Sequence, residues 1–175
     1  MEMLKQLWTK IRSVLAKFLP SYTFEIGAKE LEKRITPLFP IKKKKLIFVF
    51  KITDPKVVLP PNRDNRVGIA VSMKVSIPGL LAARGRAVIH GEIDYWAEEG
   101  EFYFFDPEID ELEIGGLPGR YQEEVRGLFE SIIRSAVSDL CIYKFDPADR
   151  KQVIAKRMLK SIKVEDEKLK IQVGL

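Results

Sequence analysis

Residues 66–77, RVGIAVSMKVSI, alternate with a period of two: Val67, Ile69, Val71, Met73, Val75 and Ile77 share one face, while Ser72, Lys74 and Ser76 share the other. Such a stretch is a strand with one dry and one wet side, as found in antiparallel sheets. Three further stretches have strand character: KLIFVFKITDPKVVL at 45–59, GRAVIHGEIDYWA at 85–97 and EFYFFDPEIDELEI at 101–114. Turn signals at Pro60-Pro61-Asn62, Pro78-Gly79 and Glu99-Gly100 separate them, so the four are predicted to form a meander. Strands this long must twist and coil, and the sheet is expected to curl around whatever fills its concave side.

The filler is legible farther along the chain. From Pro118 to about Leu140, the residues Tyr121, Val125, Leu128, Phe129, Ile132, Ile133, Ala136, Val137 and Leu140 form an apolar stripe at helical spacing, wide enough to be covered on two sides. A shorter helix is expected over 28–39 from Leu31, Ile35 and Leu38, with Pro37 near its end. After a brief strand, CIYKF at 141–145, Asp146 and Pro147 suit the N-cap and first position of another helix running to about Lys160. The tail 161–175 reads as a hairpin in which Ile162 and Val164 pair near Leu169, Ile171 and Val173 across a turn at Glu165–Glu167. The fold class is thus α+β: a long, strongly curved antiparallel sheet wrapped around a long helix, with shorter helices besides.

The first twenty residues read as an amphipathic helix ending at Pro20. Met3, Leu4, Leu7, Trp8, Ile11, Val14, Leu15, Phe18 and Leu19 fall in one arc, bordered by Lys5, Lys10, Arg12 and Lys17. That arrangement suits a membrane surface, with Leu4, Leu7, Trp8, Lys10, Ile11, Arg12, Leu15, Lys17 and Phe18 as contacts. The alternative is that the arc docks on the domain or on a second copy. The lysines and arginine interrupt what would be the apolar core of a signal peptide, and no lipobox precedes the body of the chain; the expected location is cytoplasmic, peripheral on the inner membrane. Two units are expected, the helix at 1–20 and one domain at 21–175, and no stretch approaches the ~18 apolar residues of a membrane-spanning helix.

Net charge is +5, but it is segregated: residues 1–60 carry thirteen Lys or Arg against five acids, and residues 92–113 carry ten acids and no base. A basic end attracts anions, lipid headgroups or nucleic acid. None of the sequence-readable nucleic-acid motifs accompanies the charge, so no nucleic-acid partner is expected. The run Lys42–Lys45 also works as a gatekeeper ahead of the aggregation-prone LIFVF.

Chemistry-bearing residues are sparse. The single histidine, His90, lies among the polar positions Glu92 and Asp94 and is expected at the surface; one histidine and one cysteine, Cys141, cannot supply a usual zinc site. The acids Asp106, Glu108, Asp110, Glu111 and Glu113 do not follow the order of a calcium loop and read as a solvated strand face. Gly115–Gly119, GGLPG, lacks the lysine of a phosphate-binding loop and reads as a bend into the long helix. No catalytic residues, metal or cofactor are expected. The aromatics Tyr95, Trp96, Phe102, Tyr103, Phe104 and Phe105 either pack the core or line an apolar cavity between sheet and helix.

The segment YTFEIGAKELEKRI at 22–35 with Phe39-Pro40-Ile41, the meander, the long helix and the ending AKRMLKSIKVEDEKLKIQV at 155–173 together resemble the YceB-like family of bacterial lipoproteins, similar in fold to the tubular lipid-binding superfamily. The resemblance covers residues 21–175. It implies a bent sheet around a helix, enclosing a groove for a lipid or fatty-acid-like ligand, and it brings no catalytic residues. One departure is that family members are anchored through a cysteine near the N-terminus, whereas here none precedes Cys141. The expected function is non-enzymatic binding of a lipid or other hydrophobic ligand at a membrane surface. Inward-facing candidates from alternation are Phe48, Phe50, Ile69, Val71, Met73, Ile89, Ile93, Phe102 and Phe104, with Leu128 and Ile132 on the helix. The alternative is a structural or protein-interaction module with a filled core and no ligand; the sequence leaves oligomeric state open.

Overall fold

The computed structural model describes Gln6 and residues 21–61, 65–138 and 140–174. The amphipathic helix expected over 1–20, with its membrane-contact candidates, lies outside the described residues.

Six strands form one antiparallel sheet in sequence order, curled into a half-barrel: β2 (Ile41–Lys45), β3 (Phe48–Val58), β4 (Arg66–Ile77), β5 (Leu81–Trp96), β6 (Glu101–Gly115) and β7 (Leu140–Lys144). The four-strand meander is as expected, and two further strands, β2 and β7, flank it in the sheet. The lysine run at 42–45 is itself a strand, paired so that Lys45 faces Phe48 and Ile41 faces Ile52. It forms an edge of the sheet, where lysines hinder pairing with another chain.

Bulges interrupt the long strands. Between Thr53 and Lys56 the β3–β4 register shifts at Asp54-Pro55, and the β5–β6 register shifts across Asp106-Pro107; both aspartates have positive φ, 54° and 47°. Proline cannot donate to the ladder, so an Asp-Pro step is accommodated where the strand bulges, and bulges bend and twist the strand that carries them. The two Asp-Pro steps thus contribute to the curl of the sheet.

A smaller sheet, in the order β1-β9-β8, joins β1 (Tyr22–Gly27) to the C-terminal hairpin of β8 (Leu159–Glu165) and β9 (Lys168–Val173). Ile162 pairs with Ile171 and Val164 with Leu169, the hairpin expected from sequence. The two sheets share one hydrophobic core, to which β9 contributes Leu169, Ile171 and Val173. Phe24 on β1 meets Phe145, just after β7, with ring centroids 5.6 Å apart.

Helix α1 (Ala28–Ile35) buries Leu31 and Ile35 and continues into a 3₁₀ turn at Thr36–Leu38; Leu38 itself is exposed. Helix α2 (Gly119–Val137) carries the stripe expected over 118–140 only as far as Val137, Leu140 belonging to β7, and it is entered through Gly116 at φ 80°, so Gly115–Gly119 makes the expected bend. Helix α3 (Arg150–Ala155) is shorter and starts later than expected: the Lys151 amide donates to Asp149 Oδ1 at 2.9 Å, making Asp149 the cap. Asp146 instead accepts from the Ala148 amide in a local turn, and residues near Lys160 belong to β8 rather than to the helix.

Candidate functional site

The concave face of the half-barrel is apolar from β3 to β6. Phe48, Phe50, Ile69, Val71, Met73, Ile89, Ile93, Phe102 and Phe104 all turn inward with no more than 3% of their surface accessible. Strict alternation puts them there: β4 reads buried at every second position from Val67 to Ile77. Helix α2 presents Val125, Phe129, Ile132, Ile133 and Val137 to the same core, with Leu128 half-buried at its margin. Its backbone comes near β6 and β2, toward opposite flanks of the sheet. Near its start, Tyr121 meets Phe48 edge-on at 5.6 Å.

All eleven residues singled out from sequence therefore belong to one contiguous layer. The packing within it is dense. Gly91 leaves room for the Phe104 ring, which would lie 2.5 Å from a Cβ at that position. Of the eleven, only Val71 and Met73 also border surface depressions described below. At the far end of β5 and β6, Tyr95, Phe102, Tyr143 and Phe145 form a ring cluster, with Tyr95 and Phe102 centroids 4.6 Å apart. Burial raises the pKa values of the Tyr95 and Tyr143 hydroxyls. Trp96 and Phe105, in contrast, are exposed.

A polar cluster occupies the β6–β7 edge. Glu101 accepts hydrogen bonds from Lys144 Nζ at 2.5 Å and from the Tyr103 hydroxyl, which together hold its carboxyl below the usual range. The same bond pushes the Tyr103 hydroxyl up to about 12. Cys141 nearby has its thiol raised, first by burial and then by Glu101, the reverse of an activated nucleophile.

His90 is not at the surface. It is buried, with Nδ1 2.5 Å from Asp110 Oδ2. The β5–β6 register skips Asp110 between Val88↔Glu111 and Ile89↔Ile109, and this bulge brings the aspartate to the ring. Ile89, His90 and Gly91 are consequently buried in succession, an interruption that alternation alone could not foretell.

On the outer face, the strand register creates a feature that the linear sequence hides. Lys42 stands opposite Lys51, Lys51 opposite Lys74, and Lys74 opposite Arg84, a row of four cations across β2 to β5. Beside it lies a depression of about 360 Å³ bordered by Lys51, Lys74, Arg84, Arg86 and a single acid, Asp54. A neighbouring depression of about 480 Å³ is of mixed charge, with Lys56 and Arg86 against Asp54, Glu111 and Glu113.

Residues 26–168 match the model of the family described as protein of unknown function (DUF1439). No curated protein matches the sequence. Among solved structures, the chain is similar to the crystal structure of lipopolysaccharide binding protein, with 12% identity and a TM-score of 0.28 over 97% of this chain and 46% of that one. The chain thus spans about half the length of that protein.

Proposed function

We propose, from the premise that this chain belongs to the DUF1439 family, that it is a non-enzymatic lipid-binding protein working at a membrane surface. The observation that carries the reading is the apolar inner face of the half-barrel, continuous across β3 to β6 and packed in one core with the amphipathic helix α2 and the smaller sheet. A shift of α2 away from β6 and β2, the strands it approaches, would open part of this apolar face to an acyl chain. Each methylene transferred from water would contribute about 0.8 kcal/mol before losses. Gly115-Gly116 at the head of α2 supplies a pivot. The amphipathic pattern of residues 1–20 supports the membrane as the place of action.

The ligand is a lipid or fatty acid, and the contact residues are the inward positions named above, with Leu128 and Ile132 on the moving helix. No residue carries a catalytic role in this reading. Titration with a fluorescent fatty acid, followed by displacement with unlabelled phospholipid, tests it: saturable binding near one per chain is expected, and no uptake across a lipid panel would overturn it.

A second reading is favoured by one observation, the near-zero exposure of the inward side chains. A core so completely filled also suits a protein-interaction module that carries no ligand, and failure of the uptake experiment would select it.

A further inference from the structure

We propose that one end of the six-stranded sheet, comprising the turns at Leu46-Ile47 and Pro78–Leu80 and the cation row Lys42–Lys51–Lys74–Arg84 behind them, docks on an anionic phospholipid bilayer. The inference rests on the membrane reading above and names the surface that makes the contact.

The first observation is the turns. Leu46, Ile47 and Leu80 are 68%, 52% and 65% exposed. They share one end of the sheet: Val49 pairs with Ser76, which carries the 46–47 turn alongside the 78–80 turn, and Ile77 pairs with Leu81. Neighbouring strands run about 4.8 Å apart, so the two turns are adjacent. Leu46 also has φ 54° at the first position of a two-residue hairpin turn, a place and conformation that favour glycine. A large apolar side chain is therefore held out in water at a position where its backbone is strained.

The second observation is charge. In an antiparallel pair, directly opposite residues have neighbouring side chains, and like charges there repel. Three such pairs in series join Lys42, Lys51, Lys74 and Arg84, all exposed, and none of the four forms an ion pair among the described residues. Arg86 adds a fifth cation at the rim of the adjoining depression; the one acid there, Asp54, accepts from the Thr53 hydroxyl at 2.7 Å. A row of this kind is relieved by an extended anionic surface.

Geometry combines the two. Lys74 precedes Ile77 by three residues, so the row lies ~10 Å back from the start of the turns along a strand rising ~3.3 Å per residue. With an interfacial layer of roughly 5–7 Å on each side of the bilayer, an upright sheet would hold the cations above the headgroups. An oblique approach, outer face down, brings cations to phosphates and the turns into the acyl boundary. A polynucleotide would use the row but has no use for the apolar turns.

Co-sedimentation of the full chain with phosphatidylcholine vesicles, with and without phosphatidylglycerol, at low and high salt, tests this. Wild type is expected to bind the anionic vesicles and to weaken with salt. Lys51→Glu with Lys74→Glu should lose at least tenfold in affinity. Leu46→Gly should melt no lower than wild type, since it relieves the strained turn, yet bind severalfold more weakly, and Leu80→Ser should also weaken binding. If wild type binds and these variants, all folded, bind equally well, the proposed surface is wrong while the membrane reading stands. If wild type binds no vesicle, the membrane reading fails and this proposal with it, and preferential binding to a DNA oligonucleotide would reassign the row.

Discussion

Gly68 on β4 and His90 on β5 are cross-strand partners, and the imidazole occupies the space that a side chain on Gly68 would need: a Cβ there would lie 2.8 Å from His90 Nε2 and 3.2 Å from the Val58 carbonyl. The ring cannot easily retreat, because its other nitrogen faces Asp110 at 2.5 Å. Gly68→Ala is therefore expected to destabilise the fold by about 1–3 kcal/mol through overpacking. In a His90→Ala background the same change should cost distinctly less. Denaturant unfolding of the four proteins of this cycle measures the difference, and equal costs in both backgrounds would mean that the ring is not what fills the space.

Phe104 and Phe105 are neighbours in sequence on opposite faces of β6. Phe104 is fully buried against Gly91, and Phe105 is exposed. Phe104→Ala is expected to cost about 3–5 kcal/mol, and Phe105→Ala within about 0.5 kcal/mol of nothing. Comparable losses at both positions, read from unfolding midpoints, would invalidate the assigned faces.

The Glu101 cluster predicts opposite behaviour at the two ends of the pH scale. The folded-state pKa of Glu101 is lowered, chiefly by the hydrogen bond from Lys144. Its stabilisation is thus complete above the ordinary carboxylate range and is lost as pH falls through the lowered value. Glu101→Gln should remove this part of the acid sensitivity in pH-dependent unfolding.

For Tyr103 the sign is reversed. Its hydroxyl donates to Glu101 and is pushed up to about 12, so its contribution is present below the ordinary tyrosine value and lost as pH rises through about 12. Ultraviolet titration should find one tyrosine ionising near pH 12 in wild type. That late step should disappear in Tyr103→Phe and move to lower pH in Glu101→Gln. An unchanged titration in both variants would contradict the cluster.

What the sequence made legible was whatever depends on local periodicity. The face of β4 from Val67 to Ile77 could be read directly because every second residue is apolar, and the Ile162–Ile171 pairing because a short turn fixes a hairpin register. Lys42–Lys45 could not be read as a strand, because an edge is specified by its backbone pairing with β3 rather than by an apolar pattern. His90 was misplaced because the Asp110 bulge breaks the period just where its neighbours, Glu92 and Asp94, suggested an outer face. Asp146 reads as the cap because Pro147 follows it, but the Lys151 amide donates to Asp149, three residues farther on. The cation row was hidden most completely, since positions 42, 51, 74 and 84 become neighbours only through the register of four strands.

The central claim, that the apolar face beneath α2 accommodates a lipid, is tested most directly by native mass spectrometry of gently purified full-length protein, with solvent extraction of whatever accompanies it and a second spectrum after incubation with a phospholipid and fatty-acid panel. The account predicts a stoichiometric lipid adduct, either carried through purification or acquired from the panel, and released when the protein unfolds. A chain that remains bare under both conditions would contradict it.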